Sequence, residues 1–132
     1  MKYVKRIFLF LGHLLIWIKN KCCGIYDMAT GTGKTYTALG SLTKLSQLMR
    51  GQLAVVIVVP YIHLVEQWIE DIECFNVKPI VAYGYQGNRW RIEFKNAVEA
   101  YNRGLKRHFC IITTNATFIA EDFQNILKGF KK

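Results

Sequence analysis

A seven-residue run of apolar, mostly β-branched residues, Leu53–Val59 (LAVVIVV), constrains the fold more than any other part of the 132-residue chain. Continuous apolarity over the length of one strand predicts a β-strand buried on both faces, as in parallel sheets. Pro60 follows the run and should end the strand, because proline has no backbone N–H to donate. The chain should therefore contain a parallel sheet covered by helices.

The remaining sequence alternates between strand-like and helix-like segments. Three more strands are predicted, at residues 25–28, 78–84 and 109–114. Apolar residues three and four positions apart predict four helices, at residues 35–50, 62–75, 90–105 and 117–127. In the third helix the apolar stripe runs from Trp90 to Leu105 and fits a core better than a base-stacking surface. This alternation predicts an α/β fold with a mainly parallel sheet and right-handed crossovers.

A glycine-rich stretch, residues 27–38 (DMATGTGKTYTA), lies between the first predicted strand and the first predicted helix. Gly31 and Gly33 allow a close backbone approach, and the helix start adds N–H donors for an anion. In such loops the lysine, here Lys34, contacts the β- and γ-phosphates, and the hydroxyl of Thr35 would bind Mg²⁺. The stretch thus predicts ATP and Mg²⁺ as cofactors. The predicted phosphate-binding residues are Thr30, Gly31, Thr32, Gly33, Lys34 and Thr35.

The usual phosphate-loop pattern is G-x-x-x-x-G-K-[ST], and here Met28 occupies the first glycine position. With this departure, residues 28–35 (MATGTGKT) resemble motif I of superfamily 2 helicases, especially the restriction-enzyme-like and DEAD/DEAH-type members. Residues 55–68 (VVIVVPYIHLVEQW) resemble motif Ia, and residues 111–118 (IITTNATF) resemble motif Ib. The three segments occur in the family's order and cover most of the first half of a RecA-like domain.

The resemblance implies a P-loop, RecA-like, incomplete three-layer sandwich over residues 22–132, with residues 1–21 as a separate basic, apolar segment. It also implies a nucleic-acid partner, with DNA favoured over RNA. The residues implied to bind it are Pro60, Tyr61, Thr113 and Thr114. Helix-start N–H groups and small hydroxyls bind phosphates without reading bases, so binding should be salt-sensitive. Alternatively, the two threonines only end a strand and begin a turn.

Two parts of such a helicase are not found in the sequence. No apolar strand runs into the Asp-Glu pair that holds Mg²⁺ and orients the attacking water, and there is no second RecA-like domain. We therefore expect an incomplete helicase module that binds ATP weakly, hydrolyses little or none, and works with a second RecA-like domain or polypeptide.

Composition leaves other functions open. The chain has 18 Lys and Arg against 9 Asp and Glu, for a net charge of +9, which favours polyanionic partners. The apolar run at residues 7–18 is shorter than a membrane helix and indicates a buried or interfacial helix, so a membrane partner is not expected. Four cysteines without C-x-x-C spacing indicate free thiols in the cytoplasm. The alternatives are a non-catalytic nucleic-acid-binding protein with a relic phosphate loop, a membrane-associated protein and a small nucleoside kinase.

Overall fold

The computed structural model describes Lys19, residues 33–84 and residues 88–131. The chain divides into two compact units, residues 1–50 and residues 51–132. The predicted strand at residues 25–28 and the predicted division after residue 21 lie outside the described residues, as does the apolar run at residues 7–18. Within the described part of the chain, every helix is too short or too polar to cross a membrane.

The described part of the first unit is chiefly one helix, α1, Lys34–Leu48. Leu39 and Ser41 of this helix are buried, and the Ser41 hydroxyl donates to the Thr37 carbonyl oxygen at 3.2 Å. The helix ends two residues before the predicted limit, because Arg50 takes a left-handed backbone conformation with φ of 55°. A residue with positive φ cannot continue a right-handed helix.

The second unit contains a three-stranded sheet whose strands are all parallel, as the alternating sequence predicts. The strands are β1 (Leu53–Val59), β2 (Ile80–Ala82) and β3 (His108–Thr114), and β3 lies in the centre. The central position explains why residues 109–114 are all buried. β2 is shorter than predicted, with three paired residues.

Four helices accompany this sheet: α2 (Ile62–Glu73), α3 (Arg89–Asn102), α4 (Asn115–Phe118) and α5 (Glu121–Lys128). The chain crosses from β1 past β3 to β2 through α2, and returns from β2 to β3 through α3. Because these two connections run in opposite directions, right-handed crossovers place α2 and α3 on opposite faces of the sheet. The arrangement is the three-layer α/β architecture of an incomplete RecA-like P-loop fold.

The main hydrophobic core lies between the sheet and the pair of helices α3 and α5. Phe94 of α3 and Phe123 of α5 are both fully buried, and their ring centroids are 4.9 Å apart. Trp90 is also buried and packs on Phe123 at 5.9 Å. The aromatic stripe of α3 is therefore core-forming, as its spacing predicts.

Leu105 does not belong to that stripe, and this prediction is wrong. α3 ends at Asn102, and Leu105 is 78% exposed. Gly104 has φ of 73°, and its N–H donates to the Tyr101 carbonyl while the Leu105 N–H donates to the Ala100 carbonyl. These paired bonds form a Schellman motif, which stops the helix three residues early.

The last predicted helix, residues 117–127, is two helices, α4 and α5. The break is at Ala120, whose backbone is extended at φ −65° and ψ 144°. The Gln124 side chain donates to the Phe118 carbonyl oxygen at 2.6 Å, so this carbonyl is satisfied without a continuing helix. The break lets Phe118 and Phe123 meet in one core, with ring centroids 5.5 Å apart.

Candidate functional site

The first candidate site is the start of α1, where the described part of the glycine-rich stretch begins. Gly33 is the N-cap residue and has φ of 85°, a conformation that favours glycine. Lys34 and Thr35 occupy the first turn, with Lys34 exposed and Thr35 half-buried. The first turn contains no acidic residue, so the positive end of the helix dipole is not offset by its own side chains. These features fit an anionic phosphate group.

The other predicted phosphate-binding residues, Thr30, Gly31 and Thr32, lie outside the described residues. Their contribution to the loop stays a prediction.

The second candidate site is the carboxyl edge of the sheet in the second unit. Val59, the last residue of β1, pairs with Thr114, the last residue of β3. Ala82, the last residue of β2, pairs with Thr113. The segments that follow all three strands therefore leave the sheet at the same edge, which is where open parallel sheets bind ligands. The structure thus places the segments resembling motifs Ia and Ib next to each other.

At the end of β1 the chain presents exposed residues. Pro60 is exposed and Tyr61 is 63% exposed. Tyr61 is the N-cap residue of α2, in an extended conformation, and it forms no side-chain capping hydrogen bond. Its ring stacks on that of His63, with centroids 5.6 Å apart and planes 8° from parallel. The motif resemblance does not predict this pair; its signal in the sequence is an aromatic residue just before a helix, followed by a histidine two residues later.

At the end of β3 the two threonines are turned to the protein interior. Thr113 is fully buried, and its hydroxyl donates to the Ala82 carbonyl oxygen at 2.6 Å. Thr114 is 6% exposed and caps α4, because its hydroxyl oxygen accepts from the Thr117 N–H at 3.4 Å. Both hydroxyls thus have partners within the protein. The T-x-x-T spacing of Thr114 and Thr117 matches a helix N-cap and could have been recognised.

Basic residues of α3 have different surroundings. Arg89 pairs with Glu93 at 3.0 Å on the helix surface. Arg91 pairs with Asp122 of α5 and also lies over the ring of Trp90, 4.5 Å from its centroid. The hydrogen bond from Arg91 holds the pKa of the Asp122 carboxyl below its ordinary value. These two arginines are therefore used in surface ion pairs.

Among the described residues, no group of three or more His, Cys, Asp or Glu could hold a metal ion. Two cysteines in this part of the chain are free thiols, Cys74 on the surface and Cys110 in the interior. Burial raises the pKa of the Cys110 thiol to about 11, so it is protonated at neutral pH. A protonated, buried thiol is a poor nucleophile and a poor metal ligand.

A family model, that of the type III restriction enzyme res subunit, matches residues 2–131. The chain belongs to this family. No curated protein and no solved structure matches the chain. Membership confirms the resemblance to superfamily 2 helicases. At the level of the family, the chain is a helicase-like ATP-binding domain, and the family as a whole is associated with ATP, Mg²⁺ and nucleic acid.

Proposed function

We propose that this restriction-enzyme res-subunit family member is the ATP-binding part of a DNA helicase or translocase. The observation that carries the proposal is the start of α1, where Gly33 at positive φ is followed directly by Lys34 and Thr35. In this proposal the Lys34 ammonium neutralises the β- and γ-phosphates, and the Thr35 hydroxyl binds Mg²⁺. In a helicase or translocase of this type, hydrolysis of the bound ATP would supply the free energy for movement on DNA.

A binding assay with two lysine variants of α1 tests the nucleotide site. Lys34→Ala removes a charge-assisted contact, and we expect it to weaken Mg²⁺–ATP binding by about 10- to 100-fold. Lys44→Ala is the matched control, because Lys44 is ten residues further along the same helix, about 15 Å away. It should change the dissociation constant by less than about twofold. Equal affinities for the wild type and the Lys34→Ala variant would contradict the proposal.

Phosphate release tests the catalytic part of the proposal. The sequence has no apolar strand that runs into an Asp-Glu pair, so we propose that this chain alone turns ATP over slowly or not at all. Mg²⁺-dependent hydrolysis by the purified chain that is abolished in Lys34→Ala would contradict this.

The proposed DNA-binding surface is the carboxyl edge of the sheet, at Pro60, Tyr61 and the start of α4. The exposure of Pro60 and Tyr61 supports their part in it. The hydroxyls of Thr113 and Thr114 already form hydrogen bonds within the protein. Their proposed role is therefore to fix the positions of the end of β2 and the start of α4 at this edge. Contact with phosphate would then come from backbone N–H groups at the starts of the helices.

A further inference from the structure

The stacked pair of Tyr61 and His63 lies on the surface, outside the hydrophobic core. The rings are nearly parallel, and both residues are exposed. α2 contributes Val65 and Ile72 to the interior, and these are at most 2% exposed. Tyr61 occupies an N-cap position, where Ser, Thr, Asp or Asn would stabilise the helix, yet its side chain forms no cap. An exposed aromatic at a position where a capping residue would be more stable points to a role in binding.

The chemistry of the pair and its surroundings suits one kind of ligand. The exposed face of an aromatic ring stacks on a nucleobase without regard to sequence. The start of α2, directly beside the ring, has no acidic residue in its first turn and therefore favours a phosphate group. A flat aromatic group joined to a phosphate is an unpaired nucleotide. Bases inside a duplex are stacked on their neighbours and cannot offer a free face.

We propose that Tyr61 and His63 form a stacking platform for an unpaired base, so that this edge of the sheet prefers single-stranded DNA to duplex DNA. The proposal rests on the proposed function, because it requires that the chain binds DNA at this edge. It adds a specificity that phosphate contacts alone do not provide, since phosphates are present in both forms of DNA. The net charge of +9 is complementary to such a ligand.

Fluorescence anisotropy with a labelled thymidine oligonucleotide of about 20 nucleotides, and with a duplex of equal length, tests the platform at one fixed salt concentration. Tyr61→Ala should weaken binding to the single strand by about 5- to 150-fold, the range measured for loss of one stacked base. Binding to the duplex should change by less than about twofold. Tyr61→Phe keeps the ring and should bind the single strand like the wild type.

A second variant separates binding from folding. Tyr61→Thr removes the ring but adds a residue that caps helices well, so its Tm should be equal to or higher than that of the wild type. Its affinity for the single strand should nevertheless fall as in Tyr61→Ala. A loss of affinity in a variant at least as stable as the wild type cannot come from unfolding.

The possible failures are distinguishable. If the wild type binds both oligonucleotides and Tyr61→Ala weakens both equally, or neither, the platform is refuted while DNA binding by the chain stands. If the wild type binds neither oligonucleotide, the proposed DNA-binding function itself fails, and the platform fails with it.

Discussion

Replacing Thr113 by valine tests whether this residue, which sequence resemblance assigns to DNA contact, instead holds two strands together. Valine has nearly the same shape as threonine but puts a methyl group where the hydroxyl was. In the folded protein that hydroxyl is fully buried and donates to the Ala82 carbonyl oxygen at 2.6 Å, from β3 to β2. The substitution therefore leaves a buried carbonyl facing a methyl group.

The expected loss follows from the burial of both groups. A typical hydrogen bond contributes about 1 kcal/mol net, and a buried acceptor left without its partner costs about 1–3 kcal/mol. We expect Thr113→Val to lower the free energy of unfolding by about 1–3 kcal/mol in urea denaturation. Thr113→Ser keeps the hydroxyl and loses one methyl group, about 1 kcal/mol, so it serves as the comparison for the hydrogen bond.

Thr113→Ser, which keeps the hydroxyl and its bond to Ala82, should bind single-stranded DNA with the affinity of the wild type under conditions where it is folded. A Thr113→Val protein of unchanged stability that binds DNA more weakly would refute this reasoning. That result would support direct contact between Thr113 and DNA, as the motif resemblance implies.

Three further outcomes are expected. Gly104→Ala should lower the free energy of unfolding, measured in urea, by about 1–2 kcal/mol. The loss would come from backbone strain at positive φ alone, since nothing lies within 4 Å of the added Cβ. An unchanged stability would contradict the left-handed conformation. Mass spectrometry after thiol alkylation at pH 7 should find Cys74 modified and Cys110 protected until the protein is unfolded, because burial raises the Cys110 pKa to about 11; equal labelling in the folded protein would contradict this. Arg91 lowers the pKa of Asp122 in the folded state. Their ion pair therefore stabilises the folded protein at pH values above the ordinary carboxyl pKa of about 4. This contribution is lost as the pH falls through the lower pKa that Asp122 has in the folded state. Asp122→Asn should therefore be less stable than the wild type at pH 7, by no more than about 1 kcal/mol since the pair is partly exposed, and the difference should vanish in acid; a difference that persists there would contradict it.

Sequence patterns predicted the features that depend on continuous apolarity or simple periodicity. The run Leu53–Val59 is a strand of a parallel sheet, and the stripe from Trp90 to Val98 is buried. These succeed because burial of a strand face or a helix stripe requires a repeat that the sequence must show.

The features that depend on local backbone conformation and on distant partners were less visible. The early end of α3 depends on Gly104 adopting a left-handed conformation, and the break after α4 depends on the Gln124 side chain reaching the Phe118 carbonyl. The hydrogen bond from Thr113 to Ala82 joins residues 31 positions apart, so no local sequence pattern predicts it. At the candidate site, motif resemblance located the edge of the sheet, but only the strand register brought its segments together.

The most direct measurement of the central claim is an NMR titration of the isotopically labelled chain with Mg²⁺–ATP. The backbone amides of Gly33, Lys34 and Thr35 are the described part of the proposed phosphate site. The account predicts that these amides shift in a saturable manner, with much smaller changes at the far end of α1, and that Lys34→Ala suppresses the response. Saturable shifts confined to other parts of the chain, or no shifts at ATP concentrations in the millimolar range, would contradict it.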